Sequence, residues 1–364
     1  MGRIIAGLAR ERAIVVVLLT LALFRSPLSA MLPVSGAAGA LPFLWLFAVM
    51  IWGASAVVHH AEALAERLGE PFGTLILTLS VVGIEAALIV AVMLSGDGQP
   101  TLARDTMFAV LMIVLNGLVG VALLLGALRF GEQSYNLSGA GAFLSVLVPL
   151  AVFSLVLPAY TSSSFTPTFT EFQSLFFLVV TLALYLVFLF IQVSRHRGFF
   201  IEPEEPPVEP RHAHYRTWGH VVLLLATLIP IVLLSKTLST LVQGGIAAAG
   251  LPTALGGVII ATIVLAAEGM SAVRAALRNR LQRSVNLLLG AALSTIGMTV
   301  PAVLLIGMLT DRPVVLGLGP ANQIILALSL LTAVQTFGAR RTNVLHGSVH
   351  LVLFLAYVAL IFAP

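Results

Sequence analysis

The amino-acid sequence predicts an all-α polytopic membrane protein with about 11 transmembrane helices: one extra N-terminal helix followed by two inverted five-helix repeats. Three observations carry this prediction. Of 364 residues, 59% are hydrophobic and only 9% are charged, where a soluble chain carries about 25% charged residues. Apolar runs near the ~20 residues needed to cross a bilayer recur along the whole length. The arginines then fall almost entirely on alternate connections between those runs. This composition excludes a water-soluble enzyme and any disordered or fibrous chain. The lack of cysteine excludes disulfides, thiol catalysis and thiolate metal sites. The basic balance is an orientation signal, so the expected surroundings are a lipid bilayer and not nucleic acid. Nothing in the sequence fixes an oligomeric state.

Taken in order, the apolar segments run 13–32, 40–62, 72–95, 105–128, 139–160, 171–193, 218–242, 252–273, 284–309, 314–337 and 343–363. The first is the weakest. Its core from Ala13 to Phe24 is short and stops at Arg25, and Arg10 and Arg12 precede it as in a signal peptide. No small-residue cleavage site follows, so it reads as a retained helix. Pro149, Pro158, Pro230 and Pro301 lie inside spans, where kinks are tolerated if neighbours satisfy the backbone. With the N-terminus in the cytoplasm, only Arg25, Arg104 and Arg312 fall outside, against fifteen arginines inside. The C-terminus then lies on the outer side. The longest connection holds Pro203, Pro206, Pro207 and Pro210 among four glutamates, which excludes a regular helix. It reads as a cytoplasmic linker. The expected division is residues 1–39 for the N-terminal helix, 40–193 for the first repeat, 194–217 for the linker and 218–364 for the second repeat.

Five spans are an odd number, so the second unit starts from the opposite face and corresponding helices run antiparallel, as in many secondary transporters. A shared pattern supports this. Leu68, Gly73 and Glu85 follow L-x4-G-x11-E, and so do Leu251, Gly256 and Glu268. Thirteen of the fifteen acids lie in loops or at span ends; Glu85 and Glu268 do not. A carboxylate at the bilayer centre costs at least ~2.5 kcal/mol, and such residues mark ion or proton pathways. Symmetry brings equivalent positions together near the midplane, so a facing pair is expected. Two carboxylates bind one divalent cation or two protons with the same net charge, and protons compete for the same oxygens. If only the loaded forms cross, the result is obligatory cation/proton exchange. The residues leave the cation open. The bland alternative is two separate protonated acids, each bonded to a neighbouring helix.

Thr78, Ser80, Thr262, Ser294 and Thr295 are accessory candidates, as suppliers of hydroxyls near the pair. Each can instead bond its own helix carbonyl. Glu62, Glu66 and Glu70 share one face at the cytoplasmic end of the second span and are candidates for a cation-attracting mouth or a merely solvated helix end. His59 and His60 are candidate proton relays beside them. His346 and His350 lie one turn apart on the last span, and Asn116 stands alone in the fourth; helix–helix hydrogen bonding is the simpler reading for these. No H-E-x-x-H or G-x-S-x-G occurs and no Asp lies mid-span, so neither an intramembrane hydrolase nor any other enzyme is expected. A passive cation channel is a third reading.

The residues from Arg67 to Ser80 leading to Glu85 resemble the first α-repeat of calcium/proton exchangers, and Leu251–Gly257 through Glu268 to Arg280 resemble the second. Leu128–Asn136 and Arg341–Gly347 extend the match. The whole is similar to the bacterial ChaA-type calcium/sodium/potassium–proton antiporters, in the CAX branch of the cation/calcium exchanger superfamily. The resemblance implies an 11-helix fold and Glu85 and Glu268 as ligands of the transported cation. It further implies Ca²⁺/H⁺ exchange, with Na⁺ (K⁺)/H⁺ exchange through the same site as the alternative. No cofactor is implied beyond the transported ions, and the location implied is a bacterial inner membrane. The family writes its motif G-N-A-x-E. Here Val81 and Val82, and Val264 and Leu265, hold the Gly and Asn places, and Ser294 stands where a glutamine is usual. The side-chain amides are missing from both repeats.

Overall fold

The computed structural model describes residues 11–26, 36–68, 100–162, 166–200 and 217–363, together with Ser80, Val82, Gly83, Glu85, Ala86, Ile89, Val90 and Met93, all of them helical. The Pro/Glu run of the linker, Thr78 and Glu70 lie outside the described residues. The helices are α1 (Arg12–Arg25) and α2 (Gly36–Leu68). They continue with α3 (Leu102–Phe130), α4 (Leu137–Ala159), α5 (Glu171–Val193) and α6 (Thr217–Ala248). The last four are α7 (Ala254–Ala276), α8 (Leu281–Thr310), α9 (Pro320–Gly338) and α10 (Val344–Phe362). Eight of them are long and apolar enough to cross a membrane, and α7 makes a ninth despite a 59° bend between Ala266 and Glu268. At 14 residues, α1 is shorter than a span.

Two helices form the centre. In α3 and α8, 72% and 67% of the apolar stretch is buried, against 22–44% in the other unbroken spans. Each is the third helix of its half, and each contains a π turn, Ile113–Leu118 in α3 and Thr295–Thr299 in α8. In α8, Pro301 follows the turn and has no N–H to give the preceding turn. Around them packs one large core that includes Met107, Leu111, Leu147, Leu289 and Leu293. A second core joins α1, α2 and α6 through Val17, Met50, Val57, Ile231 and Leu238.

The connections sort onto two faces. On the linker face, β1 (Gln133–Ser134) pairs antiparallel with β2 (Arg341–Thr342), Gln133 opposite Thr342. The Gln133 amide also donates to Ala276 O at 2.9 Å and to Asn279 Oδ1 at 3.0 Å, while Asn136 N donates to Gln282 Oε1 at 2.6 Å. On the opposite face, Arg104 Nη1 donates to Gly317 O at 3.1 Å, and Tyr160 OH donates to Gln323 Oε1 at 2.6 Å. The loops after α3, α7 and α9 thus meet on one side and those after α4 and α8 on the other, as alternate crossing requires.

Helix α1 stops at Arg25, short of the expected 32, and α2 and α6 run on to Leu68 and Ala248; the tenth segment differs in kind. The tenth apolar segment does not begin as a helix at 314; α9 starts at Pro320, behind Gly319. Residues 312–319 form no regular secondary structure, yet Leu316 and Leu318 are buried. Hydropathy cannot tell such a segment from helix. Its backbone is satisfied by other loops: Val315 N bonds Pro100 O, Gly317 N bonds Pro167 O and Leu318 N bonds Leu155 O. That pairing lets non-helical backbone persist where protein surrounds it.

Candidate cation site

Glu85 is 3% exposed. Its Oε2 accepts a hydrogen bond from Thr295 Oγ1 at 2.7 Å, so the first half's carboxylate is held by a residue of the second half. Thr299, one turn on, turns its hydroxyl toward the same carboxylate without completing a bond. The π turn explains the delivery. It widens α8 by one residue and sets Thr295 and Thr299 on its inner side. Glu85 Oε1 is buried with no hydrogen-bond partner among the described residues.

Glu268 lies just past the bend of α7 and is half-buried. Its Oε2 is buried and has no hydrogen-bond partner among the described residues. It interacts electrostatically with Glu85, and neither carboxylate has an ion-pair partner among the described residues. Helix α7 approaches α3 closely here: a Cβ on Gly269 would come within 2.9 Å of the Leu118 side chain.

The remaining candidates separate. Thr262 is exposed, and its hydroxyl donates to Val258 O at 2.8 Å in its own helix; it is not brought to the pair. Ser294 is buried but donates to Ala291 O at 3.0 Å, also in its own helix. Ser80 is half-buried on helical backbone. Glu62 is half-buried near the end of α2, and Glu66 belongs to the same helix. His60 is wholly buried away from the pair. Its Nδ1 lies 3.1 Å from His220 Nδ1 and its Nε2 lies 3.3 Å from Glu11 Oε2, which fastens the start of α1 to α2 and α6. His59 stacks edge-on beside it. His350 bonds Asn116 Oδ1 at 3.4 Å and Thr336 Oγ1 at 3.1 Å, while His346 Nδ1 accepts from Asn343 N at the cap of α10.

Two residues near the carboxylates were not singled out by sequence: Thr299 and Tyr185. The spacing of Thr295 and Thr299, one turn apart, was the available signal for the first. Tyr185 of α5 is 1% exposed, and both carboxylates act on it electrostatically. Among the described residues, no group of three or more His, Asp or Glu side chains could hold a metal by themselves. A cation at the pair therefore needs hydroxyl, backbone or water oxygens as well.

The model of the sodium/calcium exchanger protein family matches residues 38–194 and 219–363, nearly the whole chain in two blocks. The chain belongs to this family. Within reach of this exchanger sequence is y4hA of Sinorhizobium fredii, 45% identical over 313 residues and covering 85% of each chain. The sodium-potassium/proton antiporter ChaA of Escherichia coli is 40% identical over 317 residues, covering 85% of this chain and 86% of its own. The exchanger fold is matched by a crystal structure of the Ca²⁺/H⁺ antiporter protein YfkE, with a TM-score of 0.74 at 16% identity over 97% of this chain and 99% of that one.

Proposed function

We propose that the protein is a secondary-active cation/proton antiporter of the membrane, working by alternating access, with Glu85 and Glu268 as its shared cation and proton site. One observation carries this reading: two carboxylates from corresponding helices of the two halves interact inside the protein, and neither has a basic partner among the described residues. Buried charges are normally paired. A pair kept free of arginine is one whose counter-charge arrives from outside.

The charge arithmetic gives exchange. Two ionised carboxylates without a cation carry a cost on the order of 5 kcal/mol in the membrane interior, taking ~2.5 for each. A state that costly is populated about once in several thousand. The empty site does not cross, whereas a site holding a divalent cation, two monovalent cations or two protons does. Each crossing in one direction is then matched by a loaded crossing in the other. Raising the pH removes the competing protons, so apparent cation affinity rises with pH.

Ca²⁺ gains most from two negative charges and is the first cargo in this reading. Mg²⁺ is poor because it dehydrates reluctantly. Na⁺ or K⁺ as the main cargo is the alternative, supported by the 40% identical sodium-potassium/proton antiporter ChaA and by the missing side-chain amides. Both cargoes use the same pair. The units 40–193 and 218–364 form the two halves, and the N-terminus lies in the cytoplasm of a bacterial inner membrane, by the arginine count.

The test is the purified protein in liposomes with an internal pH-sensitive dye, given Ca²⁺, Na⁺, K⁺ and Mg²⁺ in turn. The expected result is cation-driven proton movement with the wild type, and a loss of at least ~100-fold with either Glu85→Gln or Glu268→Gln, both folded. Near wild-type exchange in either variant removes that residue from the mechanism. Cation flux without proton movement makes the protein a channel.

A further inference from the structure

Helix α5 is bathed by lipid on most of its surface and carries exposed Phe172, Phe176, Leu186, Val187 and Phe190. Its inner stripe is different. The residues of α5 that are buried begin with Ser174, Thr181 and Tyr185, and only then Phe188 and Leu189. Thr181 and Tyr185 lie one turn apart on one face. Both hydroxyls are buried and have no hydrogen-bond partner among the described residues. Many hydroxyls elsewhere in the spans bond their own helix carbonyls, as Thr227, Ser235, Ser294 and Thr310 do, while Thr106, Ser154, Ser284 and Thr299 share the lack of a partner.

Packing does not ask for a phenol at position 185. The chain holds 20 Phe against 5 Tyr, so apolar ring volume is routinely supplied without oxygen. Two other tyrosines place their hydroxyls: Tyr135 donates to Thr336 O and Ala339 O, and Tyr160 to Gln323 Oε1. Tyr185 does not, although a buried hydroxyl without a partner is destabilising. Its ring is nonetheless fixed. It lies flat on the π turn of α8 at Gly297, where a Cβ would fall 2.6 Å from Cγ and Cδ2. Gly297 sits between Thr295 and Thr299, the residues facing Glu85. Glycine at this place lets the ring pack between the two threonines that face Glu85, within electrostatic range of Glu85 and Glu268.

We propose that Tyr185 is a binding residue of the cation site: its hydroxyl gives a neutral oxygen to a partly dehydrated cation held by Glu85 and Glu268. A phenol can do this because its oxygen accepts as well as donates. It takes the place of the amides that Val82 and Leu265 do not provide. The same stripe leads outward, since Ser174 lines a cavity of about 440 Å³ with Glu171 and Asp311 on the face opposite the linker.

This inference rests on the paired-glutamate reading, and the experiment separates the two. Purified wild type, Tyr185→Phe, Glu85→Gln and Glu268→Gln are compared by Ca²⁺-induced shift of the melting temperature and by exchange in liposomes. Tyr185→Phe is expected to melt no lower than wild type without cation, to lose most of the Ca²⁺-induced shift, and to raise KM about 5- to 20-fold with kcat within twofold. An unchanged KM and an unchanged Ca²⁺-induced shift make Tyr185 a packing residue and overturn the proposal. If the glutamate variants keep the shift, the shared site itself fails. Should Tyr185→Phe not fold, the infrared C–O stretch of a tyrosine labelled at position 185 alone in the wild-type chain decides. It must move on adding Ca²⁺, and a stationary band overturns the proposal.

Discussion

Helices α3 and α8 occupy the same place in the two halves, are the two most buried of the unbroken spans among the described residues, and carry π turns at corresponding positions. The step that carries Glu85 onto Glu268 also carries Asn116 onto Thr299. Their polar side chains nevertheless do different things. In α8 the turn gives Thr295 to the carboxylate of the other half. In α3 it gives Asn116 to Ser329 Oγ at 2.7 Å and to His350. An imidazole with its proton on Nδ1 donates to Asn116 Oδ1 and accepts from Thr336 Oγ1, so this network closes on itself. Next to Glu268, α3 instead packs Leu118 against Gly269. One backbone device thus holds a carboxylate in one half and anchors helices in the other, and the two carboxylates are not equivalent: Glu85 has a hydroxyl donor, while Glu268 Oε2 has none among the described residues.

The comparison can be broken from either side. Thr295→Val removes the donor on Glu85 and should give the largest effect. A hydrogen bond to a charged group is worth ~1.5–3 kcal/mol, so apparent cation affinity in liposomes should fall roughly 10- to 100-fold, and Thr295→Ser should restore it. Wild-type affinity in Thr295→Val would mean that α8 does not support the site. Asn116→Ala should act on stability instead. It removes the donor to Ser329, which keeps its own bond to Ile325 O, and strands one imidazole nitrogen of His350, at a cost of about 1–3 kcal/mol, read as a lower melting temperature in detergent, with KM of the folded protein within about twofold. If its KM rises as in Thr295→Val, the two turns do the same work after all. Thr262→Val should do least. The residue is exposed and bonds its own helix, so stability should change by less than ~0.5 kcal/mol and exchange should be unaltered; a measurable drop in cation affinity would put Thr262 back in the site.

How far the sequence could carry this follows from what stands out against an apolar background. A glutamate inside an unbroken run of Leu, Ile, Val and Ala is conspicuous, and Glu85 and Glu268 could be named for that reason. The fold class and its division by alternating arginine are legible on the same ground. A hydroxyl is not conspicuous. Thr262, Thr295 and Thr299 look alike as letters, and only the phase of the helix and the π turn decide which one faces a carboxylate. Tyr185 lies in a run of Leu and Phe that reads as lipid-facing, and its inward direction depends on the packing of α5 against α8. His60 and His220 are 160 positions apart, and neither has a motif to announce the other. The non-helical stretch before Pro320 was hidden because hydropathy registers burial and not the hydrogen bonds that make burial possible.

The hydrogen bond between Glu85 and Thr295 joins positions 210 residues apart, and this has a consequence for biogenesis. The helical segment bearing Glu85 is made long before α8 exists. At about 5–20 residues per second, the ribosome needs roughly 10–40 s to reach Thr295. Through that interval the carboxyl has neither its hydroxyl donor nor the opposing glutamate, and the nascent first half must hold it in the bilayer as an unsupported polar group. The first half is therefore a poor candidate for independent stability. A chain that stops before α8 should be recognised and degraded as a misassembled membrane segment, and the transport site should be among the last features of the molecule to form.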